Sequence, residues 1–362
     1  MKKCCIVTFN QAVNYGAVLQ MYALQKVIQD NLKIDCDVLN YQSDYFSKLY
    51  KKRTLKDCFD IRFWKNIILD NSPKKYNISG FKNFISNHVQ LTVNIYDRNN
   101  IYDINNKYDI FIAGSDQVFN PLCSGNDDNF FLNFVQNPNK KGSYAASLGF
   151  SQIPDECKEI IMTNLKCFRY LSIREQSSAD SLSKLIDRKD IEVNIDPTLL
   201  INQQKWNSIS KPQICIQNKY VLLYAISEDK KMIEFAKSIA KTKKCKVVYL
   251  TDRYLKPCGI KCISNITPEQ WIHYFLNSEY VVTNSFHGIA FAINFNKQFY
   301  PYLLQKEKII NTRIIDLLRL FKLDYLLKHQ SKKIMTIDYS TVNTILEKER
   351  EASMQYLKKM LI

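Results

Sequence analysis

The 362 residues contain no G-x-G-x-x-G fingerprint, no Walker A sequence, no G-x-S-x-G elbow and no H-E-x-x-H pair. Readings as a dinucleotide enzyme, a P-loop enzyme, a serine hydrolase or a zincin therefore lose support. Long apolar runs are missing too: no uncharged stretch approaches the roughly 18–20 residues of a spanning helix, so a transmembrane segment is not expected. The opening Met-Lys-Lys is followed only by CCIVTF before the chain turns polar at Asn10, too short for a signal h-region, so export is not expected either. Acidic residues are in deficit, 35 against 51 lysines and arginines, for a formal net charge of +16. Such a surface attracts anions. No recognition motif accompanies the charge, which ranks nucleic acid below small anions as a partner.

Eleven cysteines, an odd number scattered through apolar runs, suit reduced cytosolic thiols better than a disulfide framework. Cys258 and Cys262 form the one tempting metal pair, but no second pair at matching spacing completes a site, and no metal is expected. The positive charge is concentrated: residues 41–90 hold ten Lys/Arg against four Asp, net +6.

Alternation of short apolar runs with helical patterns predicts an α/β protein in two doubly wound units. KKCCIVTF reads as a buried strand, Asn14-Tyr15-Gly16 as a turn, the residues to Asp30 as a helix and IDCDVLNY as the next strand. A basic, aromatic-studded insert at about 42–105 interrupts the alternation, and YDIFIAGSDQVF, GSYAASLGF, YLSIREQSS and VNIDPTLL then resume it as strands feeding loops. The stretch INQQKWNSISKPQICIQN, with Pro212, is the expected linker. Beyond it, YVLLYAIS, CKVVYL, GIKCIS, Tyr280 to Thr283 and QFYPYL read as strands of a second unit. Thr267-Pro268-Glu269-Gln270 has capping-box spacing with proline at the first helical position, and a charged run from Thr341 reads as a terminal helix.

In open α/β sheets, ligands bind beyond the carboxyl ends of strands. His287, one of four histidines, falls four residues after a strand end at Thr283, in the expected strand-to-helix loop with Asn284, Ser285 and Gly288. An imidazole there can bind phosphate or act as a general acid; capping the loop is the alternative. Arg174 ends the strand of YLSIREQSS, where a guanidinium can hold phosphate or carboxylate by two bonds or pair with Glu175. Arg313 in NTRIIDLL is expected near a helix start, an unusual place for a cation, to be explained by a ligand anion or by plain exposure. Asn14-Tyr15-Gly16 and Gly114-Ser115-Asp116-Gln117 are strand-end loops able to cradle an anion or a sugar.

Together, NYGAVLQMYALQ, YDIFIAGSDQVFN, SIREQSS, DPTLL, TNSFHGIAFAINF and NTRI, running in order from Asn14 to Ile314, resemble the polysaccharide pyruvyl transferase family. The resemblance implies two Rossmann-like domains of the glycosyltransferase-B kind facing each other across a cleft, residues 1–205 on the acceptor side and 206–362 on the donor side. It implies transfer of pyruvate from phosphoenolpyruvate to two hydroxyls of one sugar, with release of phosphate, as in capsule or exopolysaccharide biosynthesis. Phosphoenolpyruvate is a co-substrate in that chemistry, and neither a metal nor a nucleotide cofactor is implied. The saccharide acceptor belongs to a polysaccharide or its lipid-linked precursor, placing the protein in the cytoplasm or at the inner face of the membrane. The basic insert, with Phe46, Tyr50, Phe63 and Trp64, then rests on an anionic membrane or is a solvated structural element.

Carried over by position, Arg174 and His287 match donor residues, His287 ending an Arg-Leu-His motif that reads Ser285-Phe286-His287 here. A cation is missing at Ser285, and Arg313 is the candidate replacement. Asn284, Ser285 and Gly288 complete the donor set. Asp116 is the expected base, and Asn14, Tyr15, Gly16, Ser115 and Gln117 the acceptor side. The alternatives are a glycosyltransferase using a nucleotide sugar, or a non-catalytic saccharide-binding relative, the latter motivated by Ser285.

Overall fold

The computed structural model describes residues 2–50, 77–214, 216, 218–253, 256–303, 308–327 and 336–362, the side chains of 308–310 excepted. Phe63, Trp64 and most of the insert's lysines and arginines lie outside the described residues.

Two parallel sheets organise the chain. The first has the order β2-β1-β3-β4, formed by Lys3–Val7 (β1), Asp35–Val38 (β2), Ile110–Ala113 (β3) and Lys141–Ser143 (β4). Isolated bridges at Gly142–Tyr170 and Ala146–Ile173 join it to a two-stranded extension, Ser172–Ile173 (β5) and Glu192–Val193 (β6). The second has the order β11-β10-β7-β8-β9, formed by Tyr220–Tyr224 (β7), Lys246–Leu250 (β8), Lys261–Ile263 (β9), Tyr280–Thr283 (β10) and Gln298–Pro301 (β11). Strands such as β1 and β3 are buried on both faces, as their unbroken apolar sequences require. Strands β4, β5 and β6 are shorter than the apolar runs predict. Ala145 takes a left-handed φ of 46° just past β4, and the Ser143 and Ser172 hydroxyls bond across the gap to Ser172 O and Asn194 Oδ1, replacing ladder bonds.

The Tyr15–Leu32 helix follows β1 and is buried over most of its length, Gln20 and Gln25 included, between the halves. Tyr15 stacks on Trp271 of the Pro268–Leu276 helix at 5.7 Å and 14°, and Tyr22 meets Trp206 at 5.6 Å. The Pro268–Leu276 helix carries the expected capping box between Thr267 and Gln270. The expected linker is not irregular throughout: Gln203–Ile209 is a helix that buries Trp206, whose Nε1 donates to Thr198 O. An indole in an otherwise polar segment gives no periodic signal, which hides such a helix.

The closing helix, Tyr339–Leu361, returns to the first half. Tyr356 Oη donates to Ser143 O at 2.9 Å, and the Ser353 hydroxyl accepts from Ile195 N. Among the described residues no helix is long and apolar enough to cross a membrane.

Candidate functional site

In each sheet the chain winds outward in both directions from a central pair of strands, β1 and β3 in the first, β7 and β10 in the second. Their carboxyl ends are the two switch points where α/β sheets bind ligands. A cleft of about 800 Å³ opens between them. Phe9 and Asn14 after β1, Asp116 and Gln117 after β3, Ile226 after β7, and Ser285 and His287 after β10 all line it.

His287 is the second residue of the Phe286–Asn294 helix and not a loop residue, because Ser285 takes the N-cap and its Oγ accepts from Gly288 N. The side chain is 9% exposed, and its ring crosses to the first half. Its Nε2 lies 3.5 Å from Asp196 Oδ2, an ion-pair separation without hydrogen-bond alignment. The Nδ1 edge lies against Gly16, where any Cβ would overlap the ring. The glycine of NYG is thus required by the histidine of SFH.

Asp196 Oδ2 also accepts from Ser115 Oγ at 3.0 Å and Arg174 Nη1 at 2.8 Å, while Oδ1 accepts from the backbone and hydroxyl of Thr198. Burial alone would raise its pKa. His287, Arg174 and the Thr198 hydrogen bond overcome that effect and hold the carboxyl well below the usual range. Arg174 is buried, pairs through Nε with Glu175 Oε1 at 2.9 Å, and lies 4.0 Å over the Phe286 ring. Burial works to lower its pKa, and Glu175, Asp196 and Asp116 more than compensate. The pair with Glu175 that the sequence offers is thus present, yet Nη2 has no hydrogen-bond partner among the described residues.

Arg313 is different. The Lys308–Leu320 helix places it mid-helix, not at a start, so the dipole argument does not apply to it. It is 8% exposed, lines the cleft, and has no hydrogen bond or ion pair among the described residues. Burial and the neighbouring Arg174 charge lower its pKa and outweigh the Glu175 and Asp116 carboxylates, which raise it. A buried guanidinium with a like charge beside it is costly unless an anion joins it.

The remaining expected residues divide. Asp116 lines the cleft with a left-handed φ of 72°, its Oδ1 accepting from Gln117 N at 2.9 Å. Gln117 accepts from Asn120 Nδ2 and sits over Gly149, whose φ of 75° and absent Cβ make room for it. Asn14 caps the Tyr15–Leu32 helix from the cleft wall. Four others are committed to the protein itself. Asn284 accepts from Ile226 N and donates to Ser227 O, tying β10 to β7. Tyr15 Oη donates to Ile266 O and does not line the cleft, and Ser115 lies beneath it on Asp196. Gly288 leaves room for Thr283 and not for a ligand.

Sequence reasoning did not single out Asp196 or Phe286, and it named Glu175 only as a partner for Arg174. The Asp-Pro-Thr of DPTLL signals a helix N-cap, and Asp196 is one; that its other oxygen joins an arginine to a histidine has no local signal. Among the described residues no three His, Cys, Asp or Glu side chains form a metal cluster.

A structure of UGT89C1 from Arabidopsis thaliana complexed with UDP-L-rhamnose matches at a TM-score of 0.51 and 11% identity, covering 100% of this chain and 99% of that one. UDP-GlcNAc 2-epimerase from Neisseria meningitidis, bound to UDP-GlcNAc, matches at 0.48 and 13%, covering 99% and 100%. At 11% identity the first of these shows a shared fold alone: two Rossmann-like domains facing each other. No curated protein matches the sequence. The family model "Polysaccharide pyruvyl transferase" matches residues 14–303, from the helix cap at Asn14 past the whole second sheet, so the chain belongs to the polysaccharide pyruvyl transferase family.

Proposed function

We propose that the protein transfers pyruvate from phosphoenolpyruvate to two hydroxyls of one sugar of a saccharide acceptor, forming a cyclic ketal and releasing phosphate. The observation that carries this reading is Arg313, a buried cation with no hydrogen bond or ion pair among the described residues, beside Arg174 and in the same cleft as His287. Phosphoenolpyruvate brings a phosphate and a carboxylate, two anions for two guanidinium groups. Among the described residues, Nη2 of Arg174 and Nε of Arg313 are buried without a hydrogen bond, as is Nε2 of His287 beside Asp196, and a bound ligand would supply partners for them.

The chemistry runs as follows. A proton delivered to the methylene carbon, with His287 as donor, turns it into a methyl group and leaves cationic character at the central carbon. A sugar hydroxyl adds there and loses its proton to Asp116. The C–O bond to phosphate breaks, the second hydroxyl adds, and its proton leaves with phosphate. Asp196 orients His287 and Arg174 without touching substrate. No metal or nucleotide cofactor takes part; phosphoenolpyruvate is the co-substrate.

The test is thermal stability with and without millimolar phosphoenolpyruvate, since a ligand of the folded state raises the midpoint. Wild type should rise, while Arg313→Met should be as stable as wild type or more so when unliganded, and should not respond. A rise with UDP-sugars but none with phosphoenolpyruvate would replace this reading by a glycosyltransferase.

A further inference from the structure

A second cavity, of about 480 Å³, adjoins the cleft and shares the wall formed by Ala12, Phe46 and Tyr50. That volume lies within the roughly 300–1,000 Å³ of small-molecule sites. The reaction at His287 and Arg313 uses none of its other residues. It opens beyond the carboxyl end of β1, where Asn10 is 6% exposed and its carboxamide has no partner among the described residues. The carboxamides of Asn40 and Gln42, just after β2, are likewise unpartnered there and line the same cavity. The rings of Phe46 and Phe81 form apolar walls.

We infer that this cavity is a saccharide subsite holding the sugar unit linked to the one that receives pyruvate. The inference rests on the proposed function and deepens it: the acceptor is an oligosaccharide, and the protein reads at least two of its units. Carboxamides donate and accept at once, which matches sugar hydroxyls, and flat rings match the C–H faces of a pyranose. The carboxamides of Asn10, Asn40 and Gln42, which an apolar occupant would strip of water, are satisfied by a polyol. Continuity across the Phe46 and Tyr50 wall lets one glycan occupy both cavities.

The experiment is a glycan array running from monosaccharides to tetrasaccharide fragments of bacterial polysaccharides, probed with labelled wild type, Asn10→Ala and Ser47→Trp. Ser47 is exposed at the cavity rim, so its indole fills the space without touching the core. Wild type should retain particular oligosaccharides about tenfold more than their component monosaccharides. Both variants should lose that margin while keeping the phosphoenolpyruvate-induced rise in melting temperature. Equal retention of monosaccharides and oligosaccharides, retention by Ser47→Trp at the wild-type level, or retention of no glycan overturns the subsite. Loss of the phosphoenolpyruvate response in both variants does so too, because the cavity would then be part of the donor site. A wild type that retains oligosaccharides but ignores phosphoenolpyruvate instead overturns the donor assignment and leaves the subsite standing.

Discussion

At the scale of single residues, the site depends on one carboxylate and one missing side chain. Asp196 is held ionised by His287 and Arg174 against the effect of burial. A carboxyl whose pKa is depressed on folding contributes stability that is complete above its unfolded value of about 3.9 and is lost as pH falls through the folded value. Asp196→Asn removes that contribution and leaves the buried Arg174 under-compensated, a loss of about 3–5 kcal/mol at neutral pH. Denaturant midpoints measured from pH 3 to 7 should therefore show a shallower acid decline in the variant, and parallel curves would mean that Asp196 titrates alike folded and unfolded. Gly16 is the complementary case. A Cβ there meets the His287 ring, so Gly16→Ala should destabilise by about 1–3 kcal/mol. In a His287→Ala background the same change should do little, and a double-mutant cycle without coupling would remove the contact.

Elements carry the site because their ends, more than their lengths, are fixed. The closing helix is an example: it follows the second sheet in sequence, yet Tyr356 bonds to Ser143 at the end of β4 and Met360 fills the space above Gly142. Tyr356→Phe deletes one buried hydrogen bond and should lower stability by about 1 kcal/mol, visible as a lower denaturant midpoint at unchanged slope. An unchanged midpoint would show that the bond to Ser143 contributes nothing net. This contact also marks what the sequence left unread. Strand ends, the Thr267 capping box and the cleft positions of His287 and Asp116 were legible because apolar period and cap chemistry are local. The mid-helix place of Arg313, the helix around Trp206, the partners of Asn284 and the junction at Asp196 were not, since each is decided by a contact distant in sequence. The short β4, β5 and β6 were misjudged for a related reason: their apolar runs are real, but side-chain hydroxyls of Ser143 and Ser172 replace part of the ladder.

For the whole molecule the question is how a protein of net charge +16 uses that charge. Two roles are separable by distance. Arg174 and Arg313 are buried, so the hold on an anion proposed for them is little affected by salt, whereas the field of the whole surface is screened beyond about 10 Å at 0.1 M ionic strength and about 3 Å at 1 M. Surface charge therefore acts on encounter, and the buried pair on residence. Raising potassium chloride from 20 mM to 500 mM should slow association of phosphoenolpyruvate by roughly tenfold and leave its dissociation within about twofold of the low-salt rate. Dissociation constants from calorimetry, combined with dissociation rates from phosphorus NMR exchange, separate the two. If dissociation instead accelerates in proportion while association holds steady, the anion is bound by exposed lysines and arginines, and the buried pair of guanidinium groups is not its site.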